Sequence, residues 1–443
     1  MGTNRTLLGR LPSEYGIAVV LVLLCGIFSI ATLTEQQPEG AAAGEELARR
    51  IASSHPTGKV VIVAGTGHAD AQFAEALQTS LTQTGVTVLA TSQGPPSAAR
   101  KTLARLAAGG QTPDVIAVSR TAGRWTLFDD LGAKVTGIGS PQLVAPAAYR
   151  WPNFLKTDNL LNVANQVAVI AILAAGMTLV IIAGGIDLSV GSLIALSAVL
   201  GTLLIRRYAG AEQATAAGMV ACCAVAVLAC GAVGALSGLV VTRFAVPSFI
   251  VTLGVMQMAR GAAFRLTEGE SVYELPNSFV WLGRGTDLAG IPNAVVLMAV
   301  LYAVVHLVLT RTAFGRYVYA VGGNAEAARL AGVRVSVVIV LVFALSGLLA
   351  GLGGVVTASQ LKSGSPTFGF EYELYVIAAV VVGGTSLSGG EGNVLGTLLG
   401  AFLIAVINNG MNLTGVGSYD QRIILGAIII AAVLLDRLKR RFR

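Results

Sequence analysis

The chain has 443 residues, of which 54% are hydrophobic and 12% are charged. Soluble domains carry roughly 25% charged residues, so this composition excludes a soluble enzyme and favours a membrane protein. The net charge of +7 does not indicate nucleic-acid binding, because the basic residues cluster in short segments beside apolar runs, as in the cytoplasmic loops of membrane proteins. The 54 glycines fit membrane helices that approach each other closely through small residues.

Ten hydrophobic segments follow one another along the chain, each close to the roughly 20 residues that a helix needs to cross a bilayer. Residues 1–34 resemble a signal peptide, because Arg5 and Arg10 precede an apolar stretch from Ile17 to Ile30, but no small-residue cleavage site follows, so we predict a retained first span. The eighth is short and is expected to re-enter or half-cross the membrane. The segments are 16–34, 164–183, 189–206, 214–241, 247–266, 290–310, 335–358, 372–385, 391–411 and 421–437.

Basic and acidic residues assign an orientation to these spans. With Arg5 and Arg10 inside, ten crossings return the C-terminus to the inside, where it carries a cluster of Lys and Arg between 437 and 443. The same count places the loop 311–334 inside and the acidic segments 268–274 and 371–373 outside. This distribution follows the enrichment of Lys and Arg in cytoplasmic loops. We predict a multi-pass protein of the bacterial inner membrane with both termini in the cytoplasm.

Residues 36–150 differ in character from the rest. Apolar runs at 59–64, 86–90 and 115–118 are predicted strands, with a candidate fourth at 135–138, and helical patterns at 69–84 and 98–108 alternate with them. This alternation predicts a small α/β domain with a mostly parallel sheet, outside the cytoplasm. The predicted fold is an all-α polytopic membrane protein of about ten transmembrane helices, some of them broken, with this domain inserted. Its parts are 1–35 (tail and first span), 36–150 (periplasmic domain) and 151–443 (transmembrane domain).

A polar break interrupts the hydrophobic sequence at 183–192, which reads AGGIDLSVGS. An aspartate in such a stretch is costly unless it faces water, pairs or caps a helix. The glycines indicate that one helix ends here, and Asp187 and Ser189 are expected to cap the next. Two compatible roles remain for the break: a structural one, or a contribution to a gate or translocation path. The residues concerned are Gly184, Gly185, Asp187, Ser189 and Gly191.

Amide side chains form two further groups. Asn162 and Gln166 are one turn apart on one helix face, and Asn408 and Asn409 end the ninth span. Such amides either hold helices together or line a path for a polar solute.

Neither the cysteines nor the histidines have metal-ligand spacing, so we predict no metal site, no cofactor and no structural disulfide. The four cysteines all lie in apolar runs: Cys25, Cys222, Cys223 and Cys230.

Residues 151–443 resemble the permease subunits of ribose-type sugar ABC importers. The resemblance rests on four stretches in family order: PNFL…DNLLN from Pro152, GMTLVI…GIDLSVGS from Gly176, GRYVYAVGGNAEAARLAGV from Gly315, and AAVVVGGTSLSGGEGN from Ala378. Family members usually pass from the first span to the second through a short linker. The segment 36–150 therefore marks this chain as a variant with an inserted domain.

The resemblance identifies 315–333 as the coupling segment that docks on an ATP-binding subunit. Its own residues predict a short helix from Ala325 to Leu330, capped by Asn324 and ended by Gly332. The competing interpretation is an ordinary solvated loop held inside by its arginines. The residues assigned to the coupling segment are Gly315, Arg316, Gly322, Gly323, Asn324, Glu326, Arg329 and Gly332.

By the same resemblance, the chain works as a pair of membrane subunits with a pair of ATPase domains and an external sugar-binding protein, importing a monosaccharide or related polyol. LSGGE at 387–391 imitates the ABC ATPase signature, but the phosphate-binding loop GxxxxGK[ST] is absent from the sequence. We therefore predict no ATP binding and a glycine-rich turn near the coupling segment. The alternative is a secondary transporter or channel. Such proteins usually place ionisable residues in the middle of the membrane for ion coupling. Here Arg260, Arg265 and His306 are expected toward span ends, which disfavours this alternative.

Overall fold

The computed structural model describes residues 13–441. Arg5 and Arg10, on which the predicted orientation depends, lie outside the described residues, as does Arg443. The described residues form two compact units, one of which is Leu33–Pro152 and the other the described residues on either side of it. Each unit has its own packed interior.

The unit Leu33–Pro152 follows helix α1 (Ser13–Ala31) and contains two sheets. Strands β1 (Leu33–Gln36) and β6 (Tyr149–Pro152) pair antiparallel at its two chain ends. The second sheet is parallel, with strand order β3-β2-β4-β5. Its strands are β2 (Lys59–Ala64), β3 (Thr87–Gln93), β4 (Val115–Val118) and β5 (Gln142–Val144), and the helices of this unit are α2 (Gly40–Ser54), α3 (His68–Gln83), α4 (Pro96–Ala108) and α5 (Leu131–Lys134).

Helices cover both faces of the parallel sheet. Along β2, Val60 and Ile62 join one apolar cluster with residues of α2 and α3, whereas Val61 and Val63 join another with residues of α4. This alternation is what a strand buried on both faces requires. The predicted small α/β region is confirmed. The predicted fourth strand at 135–138 is wrong, because Gly137 and Gly139 have φ of +88° and +80°, so the chain turns there and the strand forms later, at β5.

The other unit is a helical bundle. Helix α6 is buried nearly all round over its last sixteen positions, as expected of a helix at the centre of a bundle. Its helices after the insertion are α6 (Thr157–Ile182), α7 (Val190–Leu204), α8 (Ala216–Phe244), α9 (Ser248–Thr267), α10 (Trp281–Arg284), α11 (Asn293–Arg311), α12 (Ala313–Gly323), α13 (Ala325–Leu330), α14 (Val335–Leu361), α15 (Tyr372–Val382), α16 (Val394–Leu413) and α17 (Ser418–Arg441).

The first predicted span falls on α1, and each of the other nine falls on a helix of the bundle after the insertion. Six helices in the described residues are long and apolar enough to cross a membrane: α6, α7 with its following turn, α8, α11, α14 and α16. Shorter apolar helices occupy Gly16–Ala31 and Tyr372–Val382. The second of these, α15, has 11 residues and is too short to cross a hydrocarbon core of about 30 Å alone. The count of ten transmembrane crossings stays a prediction.

Glycines bring α8 and α14 into backbone contact. A Cβ added at Gly238 would lie 2.8 Å from Cα of Val340, and one added at Gly351 would lie 3.0 Å from Cα of Val227. Gly234 and Gly347 face the opposite helix in the same way. This is the small-residue packing that membrane helices use where burial of apolar surface gives no driving force.

Candidate coupling surface and helix breaks

The chain leaves α6 through a Schellman motif. Gly184, with φ of +84°, donates its N–H to the carbonyl of Ile181, and Gly185 donates to Val180, both at 2.9 Å. This pair of bonds satisfies carbonyls that a helix end leaves free, and it favours glycine at the left-handed position. The predicted helix end at Gly184 and Gly185 is confirmed.

Asp187 is 1% exposed and is held by three hydrogen bonds. Its Oδ1 accepts from the N–H and the Oγ of Ser189, at 3.0 and 2.6 Å, and its Oδ2 accepts from the Oγ of Ser346 on α14, at 2.8 Å. Ser189 occupies the N-cap position of α7, but its side chain makes no capping bond. The predicted capping by Ser189 is therefore wrong, whereas Asp187 accepts the N–H of the N-cap residue itself. The carboxylate stabilises the turn before α7 and ties it to α14.

Hydroxyl groups on α9 complete the hydrogen bonding of the break. Ile186 donates its N–H to Ser248 Oγ at 3.0 Å, and Leu188 donates to Thr252 Oγ1 at 3.1 Å. Thr252 in turn donates to the carbonyl of Ile186 at 3.2 Å. The sequence did not predict the role of Ser248 or Thr252. A serine or threonine in a hydrophobic helix does not indicate which distant backbone group its hydroxyl will bind. Non-helical backbone in a membrane bundle requires such partners.

Gly191 lies where α7 meets the segment before α15. A Cβ at this position would collide with the carbonyl oxygen of Gly369 and with Glu373. The fifth residue predicted for the break therefore serves close packing. Together, the five place the start of α7 against α9, α14 and α15.

The predicted coupling segment folds as two successive helices, α12 and α13. Thr312 Oγ1 caps α12 by accepting from Gly315 N at 3.2 Å. Asn324 Oδ1 caps α13 by accepting from Ala327 N at 2.9 Å, and Gly332, with φ of +87°, follows its end. The predicted short helix, its cap and its terminating glycine are confirmed. The helix α12 before it was not predicted.

Exposed side chains of α12 and α13 form what we call the coupling surface: Arg316, Glu326, Arg329 and Leu330. Leu330 is 84% exposed. The Glu326–Arg329 pair, at 3.1 Å, has both side chains about two-thirds exposed, so it contributes little to stability. An apolar side chain surrounded by charged ones has the composition of a protein contact, with a buried centre and a polar rim.

The glycine-rich loop 383–393 contacts α12, as predicted. Tyr319 donates its hydroxyl to the carbonyl of Gly392 at 2.8 Å. Burial raises the pKa of Tyr319, which keeps this hydroxyl protonated and able to donate. Gly390 donates its N–H to the carbonyl of Ile182, the last residue of α6, at 2.8 Å. The loop therefore connects the coupling segment to the end of α6.

The four amide residues predicted as a possible pathway have different surroundings in the structure. Asn409 exchanges two hydrogen bonds with Asn159, at 2.9 and 3.0 Å, which joins α16 to α6. Asn162 and Gln166 both lie exposed on α6, and Asn408 is half-buried. Asn409 therefore acts as a link between helices, and a pathway role for the other three stays a prediction.

Arg260 corrects one expectation. It is the thirteenth of the 20 residues of α9, well away from either end. Its guanidinium donates to the carbonyls of Pro366 and Phe368, both at 2.7 Å. A charge in the middle of an apolar helix needs such partners, and sequence reasoning missed them because they lie in the loop after α14.

Residues 159–433 match the family described as "Branched-chain amino acid transport system / permease component". The chain is 43% identical over 303 residues to the ribose import permease protein RbsC of Escherichia coli (strain K12), which covers 67% of this chain and 91% of that protein. It is 37% identical over 285 residues to the D-allose transport system permease protein AlsC of the same strain (64% and 85%), and 36% identical over 334 residues to the L-arabinose ABC transporter permease protein AraH of Azospirillum brasilense (75% and 95%). No solved structure matches the chain.

The family match and these relatives, together with the six helices long and apolar enough to cross a membrane, identify the chain as a membrane permease, a transport component. The chain belongs to the permease family of the branched-chain amino acid transport system, which its residues 159–433 match. The resemblance to ribose-type permeases is confirmed, since the relatives above include ribose, allose and arabinose permeases. The alignment with the ribose permease leaves about a third of the chain uncovered.

Proposed function

We propose that the chain is the membrane subunit of an ATP-binding cassette importer that moves a monosaccharide, such as ribose or a related sugar or polyol, into the bacterial cell. The observation that carries this proposal is the coupling surface. A motif of small residues folds as two short capped helices and presents Leu330 between exposed charges. The names of its relatives supply the class of solute.

The proposed partners are an ATPase subunit that binds the coupling surface, an external sugar-binding protein and a second copy of the chain. The second copy is supported by Asn162 and Gln166, which are exposed one turn apart on the first half of α6, just before its buried second half. Polar side chains on a membrane helix are costly where they face lipid. A second copy would cover this face and leave a polar path between the two subunits.

The proposed orientation keeps both termini, the coupling surface and the break at Asp187 toward the cytoplasm, and residues 36–150 in the periplasm. ATP-driven closure of the ATPase pair then pushes on α12 and α13. The bundle changes between two states, and transport requires the nucleotide states of the ATPase to bind these two states with different affinity.

Reconstitution in liposomes tests the proposal. The chain is combined with candidate ATPase and sugar-binding proteins, and ATP hydrolysis and uptake are measured against a panel of sugars. We expect one sugar class to stimulate both. Stimulation by none of them, with all three proteins assembled, contradicts the import assignment. Uptake driven by a proton gradient without ATP instead supports a secondary transporter.

A further inference from the structure

Three segments that are distant in the chain meet at glycine backbones, at what we call the glycine junction: Gly184, Gly322, Gly389 and Gly390. Gly184 follows the end of α6, Gly322 lies in the last turn of α12, and Gly389 and Gly390 lie in the loop between α15 and α16. The bond from Gly390 N–H to the Ile182 carbonyl, at 2.8 Å, crosses the junction. No side chain separates the three backbones.

The junction has no room for a side chain at its contacts. A Cβ on Gly322 would overlap the carbonyl oxygen of Ile182 and lie 2.6 Å from the N atom of Gly390. A Cβ on Gly389 would lie 2.7 Å from the Gly322 carbonyl oxygen and 3.0 Å from Cα of Gly184. Gly389 and Gly390 also have φ of +81° and +74°, which glycine adopts readily.

The two helices that precede the junction end in the same way. Like α6, α15 ends in a Schellman motif, in which Gly384 donates to Val381 at 2.9 Å and Thr385 donates to Val380 at 3.1 Å. Beyond it, Ser386 N–H donates to the Glu391 carbonyl at 3.0 Å and closes the loop on itself. Both helix ends are thus fixed by local hydrogen bonds, and the contact with α12 joins them.

We propose that Gly322, Gly389 and Gly390 are positioning residues that transmit movement of α12 to the breaks after α6 and before α16. Side-chain rotation cannot absorb a displacement of α12 here, because the contacts are between backbones and packed interiors compress little. Any movement of Gly322 therefore displaces Ile182 and the loop 383–393 together. This inference rests on the proposed function, since the ATPase supplies the movement.

The test substitutes Gly322→Ala in the complete reconstituted importer. The measured quantity is the number of sugar molecules taken up per ATP hydrolysed, together with the recovery of the ATPase in the purified complex. The matched control is Gly261→Ala on α9, where an added Cβ meets nothing within 4 Å. For Gly322→Ala we expect the number of sugar molecules taken up per ATP to fall about tenfold, a loss typical of a coupling between sites. Recovery of the ATPase should not change, and Gly261→Ala should behave like wild type.

A second variant avoids added volume. Tyr319→Phe removes only the hydroxyl that binds the Gly392 carbonyl, and Tyr208→Phe, at a tyrosine that is 73% exposed, is its control. We expect a loss of about threefold in the same ratio, as for one hydrogen bond. This variant decides the question if Gly322→Ala does not assemble.

The outcomes separate the two proposals. If wild type imports sugar with ATP and both junction variants keep its ratio, transmission through the junction is overturned while the proposed function stands. If wild type imports nothing, the proposed function fails. A parallel loss of ATPase recovery in the junction variants would assign these residues to docking and would also overturn the inference.

Discussion

Asp187 combines a nearly complete burial with partners that are all hydroxyl or amide groups. A buried carboxylate needs donors, because its transfer from water is costly otherwise. Two donors come from Ser189, two residues away, and the third from Ser346 on another helix. The local pair shapes the turn, whereas Ser346 fixes the position of that turn in the bundle.

Removing the Ser346 hydroxyl tests whether its bond to Asp187 stabilises the bundle. Ser346→Ala is expected to lower the free energy of unfolding by about 1 kcal/mol, since hydrogen bonds inside membrane bundles contribute less than their burial suggests. Thermal unfolding of the detergent-solubilised chain measures the effect. Ser278→Ala, at an exposed serine, is the control. Equal melting temperatures for the two variants would contradict a stabilising role for the bond to Asp187.

Single residues were predictable where their role is local. The glycine pair at 184–185 and the asparagine at 324 act within one helical turn, and the sequence identified both. Ser248, Thr252 and Arg260 act across the bundle. Their side chains identify them as polar residues in apolar helices, but not which carbonyl or amide they bind.

Helix α13 has six residues and depends on its two ends. A helix this short is not stable alone, because forming its first turn costs more free energy than its few backbone hydrogen bonds recover. The Asn324 cap and the Gly332 turn therefore hold it, together with the buried Ala328. Its exposed Leu330 can anchor a partner only while the helix persists.

Asn324→Ala is expected to weaken the cap by about 1 kcal/mol. The helix then frays, and the affinity of the coupling surface for the ATPase subunit should fall by up to about fivefold. Titration of the purified ATPase onto the solubilised chain measures this affinity. Asn324→Asp keeps a capping oxygen and should retain wild-type binding. Loss of affinity in both variants alike would show that the cap is not the cause.

Elements with strong periodicity or long apolar runs were predicted well, and those defined by pairing were not. Strand β2 and the helix at 325–330 have the predicted bounds. Strands β1, β5 and β6 are short and partly exposed, so no apolar run indicates them. Strand β5 forms because β4 offers a free edge beside it, which is a property of the sheet and not of residues 142–144.

At the scale of the whole molecule, the insertion has a core of its own. Two apolar clusters, one on each face of the parallel sheet, contain only residues of Leu33–Pro152. Its antiparallel pair of β1 and β6 brings the two chain ends of the unit together. A domain with adjacent ends can be inserted between two helices at little cost to either unit.

The insertion should therefore fold when it is separated from the bundle. Residues 33–152, expressed alone, are expected to be soluble and to unfold in one cooperative transition, followed by circular dichroism against denaturant. Ile62→Asp, which places a charge in the core, is the matched destabilised variant. An unfolded or aggregated 33–152 fragment would mean that the domain needs the bundle for its stability.

The sequence by itself determined the class of protein, the hydrophobic segments, the α/β character of the insertion, the helix ends at Gly184 and Gly332, and the cap at Asn324. These depend on hydropathy and on hydrogen bonds between residues close in the chain. Only the tertiary structure decided that Asp187 binds Ser346 and that Gly322 meets Ile182 and Gly390. Such contacts arise when helices distant in the chain pack together, and the spacing of residues along one segment does not specify the partner it meets.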